Sequence, residues 1–415
     1  MKKNHFESYF DPSNILNTGQ KVTNSCLNLM DVLSKPKLKI ALITYYFEKP
    51  SHNGTAIHAQ NLAKYLSEHN CEVHVFCTGK EEGIYKEGKV IVHPIERVFN
   101  PLNSDLPKTR LEYDLFESEV VKSIIRENTK KKFDVIHTHG ELVKAAFILK
   151  KVYGIKWIHT FHAIEKLRVK QLSKEEKEFG DLISWIESTT NYCDGAIFVS
   201  NDLLKEGKKH YKLKSMRVIP NGVNLSLFEY TPIIKKNVLF IGRFSKDKGI
   251  HLMPKLIEEV MTIPNASFTM CSPYETPTPE LKEIEKIIHK QKEVYGNRLT
   301  LILKAQGQDF VRGLYKDCQV YIQPSKYESF GLCIVEAMAT GRPVVAFHVG
   351  GIPEVVGDAG FTVKNTVDLI SKIKELLKDE STCNIIGKQA SIRAKIFDWN
   401  SIALRTIKYY NEVLK

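Results

Sequence analysis

The chain has 415 residues, 43% of them hydrophobic and 26% charged, which excludes disordered, collagen-like and mucin-like proteins and suggests two or three domains. Sixty Lys and Arg against 48 Asp and Glu leave a formal charge of +12, which attracts nucleic acids, anionic membranes and phosphorylated small molecules alike and names none of them. No apolar run reaches the ~18 residues of a membrane-spanning helix, the N-terminus lacks the apolar core of a secretory signal, and eight cysteines show no CxxC spacing. The expectation is a cytoplasmic protein with reduced thiols and no zinc site.

Residues 1–36 are polar and aperiodic and read as an N-terminal arm. At Leu38 the run LKIALITYY predicts a buried parallel strand. Further strands are predicted at 72–77, 134–139, 157–162, 195–200 and 216–220, separated by helices such as 55–68, 142–152 and 174–192. Pro232 and the lysines after it interrupt this pattern, so 226–236 reads as a linker. A second series follows, with strands at 238–244, 266–272, 299–303, 320–325, 343–347 and 360–363 and helices at 252–261, 280–294 and 330–340. The fold class is therefore α/β, with two doubly wound domains, 37–225 and 237–398, and a closing helix over 399–415. Ligands of such sheets bind beyond the carboxyl ends of the strands, which places a site in the cleft between the domains.

The residues after the strands carry the strongest signal. In SKYESFGLCIVEAMATGRPVVAFHVGGIPEVV (325–356), Glu328 lies in the loop after a strand and Ser329 is the predicted N-cap of helix 330–340. The amides of Phe330, Gly331 and Leu332 then offer an anion site at the helix start. Glu336 follows Glu328 by eight residues, so both carboxylates can face one ligand. Either glutamate alone reads as an ordinary surface charge; the pair, followed by GRPVVA and GGIPE, points to function. In VLFIGRFSKDKG, Arg243 and Lys248 follow the first strand of the second domain, where two fixed cations can stabilise a diphosphate. Lys246 has no such position, and no Asp-x-Asp metal motif stands out.

This constellation resembles the retaining, metal-independent glycosyltransferases of family 4, the group 1 type with the GT-B fold, over about residues 38–415. The resemblance implies two Rossmann-like domains, the first on the acceptor side and the second holding a nucleotide sugar, with the 399–415 helix crossing back onto the first. It implies that Glu328 contacts the transferred sugar, that Glu336 holds the ribose, that Phe330, Gly331 and Leu332 lie near the sugar and phosphates, and that Arg243 and Lys248 bind the pyrophosphate. His162, ending the WIHTFH strand, matches the position that lines the cleft beside the reacting sugar. Gly54 stands where the family carries a glycine-rich loop, and a plain turn glycine is the alternative. His139 in HTHG matches a short histidine motif, with a structural role equally open. Lys166, Arg168 and Lys170 form a basic run that in some relatives grips an acceptor phosphate; a solvated helix face is the alternative. PNGVN (220–224) resembles the element closing the first domain, and MCSPY (270–274) departs from the family near the nucleotide base.

The expected function is transfer of a hexose from a nucleoside diphosphate sugar to a hydroxyl acceptor, which could be a sugar, a sugar phosphate, a lipid-linked sugar or a small metabolite. Metal ligands and resident cofactors are not expected, nor is nucleic-acid binding; peripheral contact with the inner face of a membrane is left open. The alternative is a GT-B-fold epimerase acting on a UDP-sugar.

Overall fold

The computed structural model describes residues 37–415 except 48, 50–52, 80–82, 99–105, 141, 170–173, 273–278 and 304–306; the predicted arm 1–36, Lys170 and the last two residues of the MCSPY departure, Pro273 and Tyr274, lie outside the described residues. β1 (Leu38–Ile43) is buried along its whole length, as a strand covered on both faces must be. β2 (Cys71–Thr78), β3 (Tyr85–Glu87), β4 (Val90–Ile95), β5 (Val135–His139), β6 (Lys156–Phe161), β7 (Gly195–Phe198) and β8 (Met216–Val218) join it in a sheet of order β3-β4-β2-β1-β5-β6-β7-β8. β9 (Asn237–Ile241), β10 (Ser267–Ser272), β11 (Leu299–Leu303), β12 (Val320–Gln323), β13 (Val344–Phe347) and β14 (Phe361–Val363) form a parallel sheet of order β11-β10-β9-β12-β13-β14. The architecture is α/β twice.

The antiparallel β3–β4 hairpin was not anticipated from the sequence. Its residues, IYKEGKVIVHPI (84–95), mix charges and a proline with short apolar stretches, so no clean period emerges. That chemistry suits an edge, where charge and proline discourage further pairing.

Strand order reverses between β1 and β5 in the first sheet and between β9 and β12 in the second. These switch points open the crevices in which doubly wound sheets bind ligands. Two crossings of the chain join the domains side by side. Val223 N donates to Phe397 O at 2.8 Å, Val223 pairs with Asp398, and Gly222 lies so close to the Trp399 ring that a Cβ there would come within 2.4 Å of it. Helix Trp399–Leu414 then packs on helix Gly54–Glu68, burying Trp399, Ile402, Ile407 and Tyr410 in the core beneath β1 and β2.

The linker is held by Arg342 of the GRP turn. Its fully buried guanidinium donates to Cys318 O at 2.9 Å and to Thr231 O at 2.5 Å, tying residue 231 to the second sheet. Arg342→Met leaves those carbonyls without donors, and a hydrogen bond to a charged group contributes ~1.5–3 kcal/mol. We expect a loss of about 3 kcal/mol or more in urea unfolding; a loss under about 0.5 kcal/mol would contradict this role.

Candidate active site

The half of the cleft built by the second domain starts at the β9–β12 switch point. After β9, Arg243 pairs with Asp247 at 3.2 Å, and the Ser245 hydroxyl donates to the same buried carboxylate. The backbone carbonyl of Asp247 accepts from Lys326 N at 2.7 Å, so the loop after β9 is tied to the loop after β12. Lys248 then reaches across to Glu328, Nζ to Oε2, at 2.6 Å, and both side chains are less than one-fifth exposed. An ammonium has three donors, so this pairing leaves Lys248 two for a ligand. Arg243, two-fifths exposed, keeps most of its fork for one.

Two glycines set this geometry. Gly249 has φ +80°, and a Cβ there would stand 2.2 Å from Pro324 O at the end of β12. Gly350 has φ +52°, with Glu328 O 2.0 Å from where its Cβ would lie, and the next amide, Gly351 N, donates to that oxygen at 3.0 Å. Any side chain at either position pushes apart the loops that carry Lys248 and Glu328.

The helix after Glu328 begins later than predicted. It spans Leu332–Ala339 with Gly331 as its cap, and Ser329 is not the N-cap. Gly331 O takes the amides of Ile334 and Val335, so the first amides without a partner in a preceding turn are those of Leu332 and Cys333. Phe330 instead drives its ring into the core, 5.4 Å from Phe397. Leu332 meets the other domain: a Cβ on exposed Gly54 would lie 3.3 Å from its Cδ1. The start of helix Gly54–Glu68, capped by Asn53, therefore faces the start of helix Leu332–Ala339.

Glu336 lies one turn into that helix and is buried. Tyr315 donates to it at 3.1 Å and Gln308 at 3.4 Å, while burial pushes its carboxyl up to about 7. Neither partner was found from the sequence, because each is an ordinary residue of a separate helix, Gln308–Lys316.

On the first domain, the β1–β5 switch point is lined by imidazoles. His139 ends β5, and its Nδ1 lies 3.2 Å from Nε2 of His162, the residue after β6. His58, one turn into helix Gly54–Glu68, packs edge-on against His162 at 4.5 Å and against Trp399 at 5.1 Å. His58 Nδ1 lies 2.8 Å from Asn221 Oδ1 of the PNGVN crossing. Desolvation lowers all three rings: His58 to about 4, and His139 and His162 well below the usual histidine range, helped by neighbouring imidazoles. They are neutral at pH 7. His139 is fully buried, whereas His162 is partly exposed. His159 points elsewhere, bonded to Thr138 at 2.8 Å. Lys166 is exposed on the short helix Glu165–Arg168; the side chain of Arg168 lies outside the described residues.

The two halves touch around this centre. Tyr327 Oη accepts from Ile164 N at 3.3 Å, so the residue before Glu328 meets the second residue after His162. Asn201 donates to Glu354 through N at 2.7 Å and Nδ2 at 2.8 Å. Beside these contacts lies a cavity of about 240 Å³ between Leu167, Asp202 and Leu203 of one domain and Tyr327, Glu328 and Gly350 of the other. Among the described residues no helix is long and apolar enough to cross a membrane.

Two doubly wound sheets with switch points meeting at one cleft, cations and carboxylates on one wall and imidazoles on the other, have the GT-B architecture. A model described as Glycosyltransferase Family 4 matches residues 52–227, and one described as Glycosyl transferases group 1 matches residues 235–379. An uncharacterized glycosyltransferase of Methanocaldococcus jannaschii is 28% identical over 387 residues, covering 91% of this chain and 99% of its own. Sucrose-phosphate synthase from Thermosynechococcus elongatus has the same fold at a TM-score of 0.75 and 23% identity, over 91% of this chain and 99% of its own. HepE of Anabaena, solved in complex with UDP-glucose, follows at 0.66 and 18%, over 90% and 99%. The chain belongs to the group 1, family 4-type glycosyltransferases.

Proposed function

We propose that this enzyme moves a hexose from a nucleoside diphosphate sugar to a hydroxyl acceptor, with retention at the anomeric carbon and without a divalent metal. The observation that carries this reading is the Lys248–Glu328 pair at the β9–β12 switch point, set against His162 across the cleft. A sugar diphosphate laid there has its phosphates near Arg243, Lys248 and the amides of Leu332 and Cys333, and its hydroxyls near Glu328. Fixed cations supply the positive charge that a metal otherwise brings to the leaving diphosphate. His162, neutral and partly exposed, is a hydrogen-bond partner for the sugar, with Gly54 allowing close approach beside it. Retention follows from the family resemblance, with attack on the face the diphosphate leaves and its oxygen taking the acceptor's proton. UDP-glucose in HepE supports a nucleotide-sugar donor, and sucrose-phosphate synthase among the structural neighbours supports a sugar or sugar phosphate acceptor. Lys166 and Arg168 stand as candidate contacts for an acceptor phosphate. The epimerase alternative draws no support from the family matches. Proton NMR of the product tests stereochemistry: the donor's anomeric configuration is expected, and inversion overturns the retaining assignment.

Glu336 gives this reading a pH signature. Ribose hydroxyls donating to its carboxylate favour the charged form, so bound nucleotide lowers a pKa that stands at about 7 in the free enzyme. Affinity for the nucleoside diphosphate should therefore rise with pH up to about 7, flatten above it, and be accompanied by proton release near pH 6.5. Calorimetry in buffers of different ionisation enthalpy measures that release. Glu336→Gln should abolish this component and weaken binding by roughly tenfold or more, the scale of a charged hydrogen bond. Equal affinity and equal proton release in the variant would refute the ribose contact.

A further inference from the structure

The three imidazoles at the first switch point are arranged as a ligand set. His58, His139 and His162 each offer a ring nitrogen, and these nitrogens lie within 4.8 Å of one another. They come from three different elements, a helix and the ends of two strands, so the backbone fixes their separation. His58 Nε2 and His139 Nε2 are buried without a hydrogen-bond partner. A buried polar atom left unpaired is uncommon and asks for an explanation. Asn221 supplies part of it: with its Oδ1 accepting at 2.8 Å, His58 Nδ1 carries the proton and Nε2 presents a lone pair. That is how an outer hydrogen bond orients a metal-binding histidine.

We propose that His58, His139 and His162 form a binding site for a late first-row divalent cation, Zn²⁺ in particular, and that the bound ion inhibits sugar transfer. Three imidazoles and an open fourth position match the chemistry of zinc, whose bonds to histidine nitrogen run ~2.0–2.1 Å. Such bonds need ligand nitrogens roughly 3.3 Å apart at tetrahedral angles, so the rings close by about an ångström. Rotation about the soft terminal torsion of each ring provides this movement. The ring-to-ring hydrogen bond between His139 and His162 is exchanged for two metal bonds. Carboxylates stay outside this group, which disfavours Mg²⁺ and Ca²⁺. Inhibition rests on the role proposed above for His162: once its nitrogen is a ligand, it no longer serves the donor sugar.

The test uses untagged full-length protein, stripped with EDTA and dialysed. Co²⁺ added to it should give the intense visible bands of a four-coordinate ion at one equivalent, and Zn²⁺ should bleach them. X-ray absorption at the zinc edge of the wild-type protein should count three imidazoles at about 2.0–2.1 Å. His58→Gln and, separately, His139→Gln should each lose the cobalt bands, with circular dichroism verifying the fold. Should either variant fail to fold, the wild-type imidazole count decides. No stoichiometric cobalt band, or a zinc shell with one imidazole or none, overturns the site and leaves the glycosyltransferase reading standing. In a transfer assay, saturating Zn²⁺ should reduce the rate by tenfold or more and EDTA should restore it. An unchanged rate with the site filled overturns the inhibitory half.

Discussion

Replacing Glu328 with alanine should lower sugar transfer by roughly 100-fold or more while the nucleoside diphosphate still binds; hydrogen bonds to a charged group, at ~1.5–3 kcal/mol each, set that scale. The carboxylate sits on a loop whose backbone is clamped by the Gly350–Gly351 turn, so the side chain is pre-positioned. Its partner, Lys248, is held at 2.6 Å, which leaves the second carboxylate oxygen to face the sugar. If those sugar contacts strengthen as the glycosidic bond breaks, their loss appears in kcat. Nucleotide affinity should stay level or tighten, because Lys248 gains a free donor for the phosphates. Glu328→Gln, which keeps the volume, should lie between the two. Calorimetry with the nucleoside diphosphate and steady-state kinetics separate these effects; wild-type turnover in Glu328→Ala would sink the assignment.

Arg243→Ala and Lys248→Ala should each reduce transfer by about 100-fold or more, the scale of losing one strong contact to a developing anion. The two losses differ in kind. Lys248 is a point charge beside Glu328, so its removal leaves that carboxylate unpaired as well as the phosphate. Arg243 also binds Asp247, whose carbonyl anchors Lys326 in the loop after β12, so alanine there loosens both loops at once. Arg243→Lys keeps the charge but loses the fork, and should recover only part of the rate. Wild-type activity should survive excess EDTA. An Arg243→Ala enzyme with undiminished activity would refute the pyrophosphate role.

How much of this was legible in the sequence depends on how local the signal is. β1, β9 and β12 are short apolar runs with both faces buried, and each was read from its own residues. The β3–β4 hairpin was missed because edge strands carry charge by design and so lose the alternation that marks a strand. The start of helix Leu332–Ala339 was misplaced because Ser329 looked like a cap, whereas the chain turns at Gly331 with φ +96°. Glu328, Arg243 and Lys248 follow strands, where doubly wound folds concentrate function, and their loops meet in the structure. His139 and His162 stand at strand ends and are legible as candidates for the same reason, but their grouping with His58 is not. His58, His139 and His162 are 81 and 23 residues apart along the chain, and only the parallel pairing of β5 with β6 and the packing of helix Gly54–Glu68 bring them together. Asn221 was read as part of a domain junction; its bond to His58 depends on where that junction folds.

Metal-free transfer from a nucleoside diphosphate sugar is tested by following diphosphate release from a panel of donors. Metal-stripped enzyme in excess EDTA is incubated with UDP-glucose, UDP-N-acetylglucosamine, GDP-mannose or ADP-glucose in turn, and release of the nucleoside diphosphate is followed by chromatography. One donor should release its nucleoside diphosphate slowly by hydrolysis and faster with a sugar or sugar phosphate acceptor, and Lys248→Ala should suppress both. Release that requires added Mg²⁺ or Mn²⁺, or conversion of a donor to an isomeric nucleotide sugar with no diphosphate released, would contradict metal-free transfer.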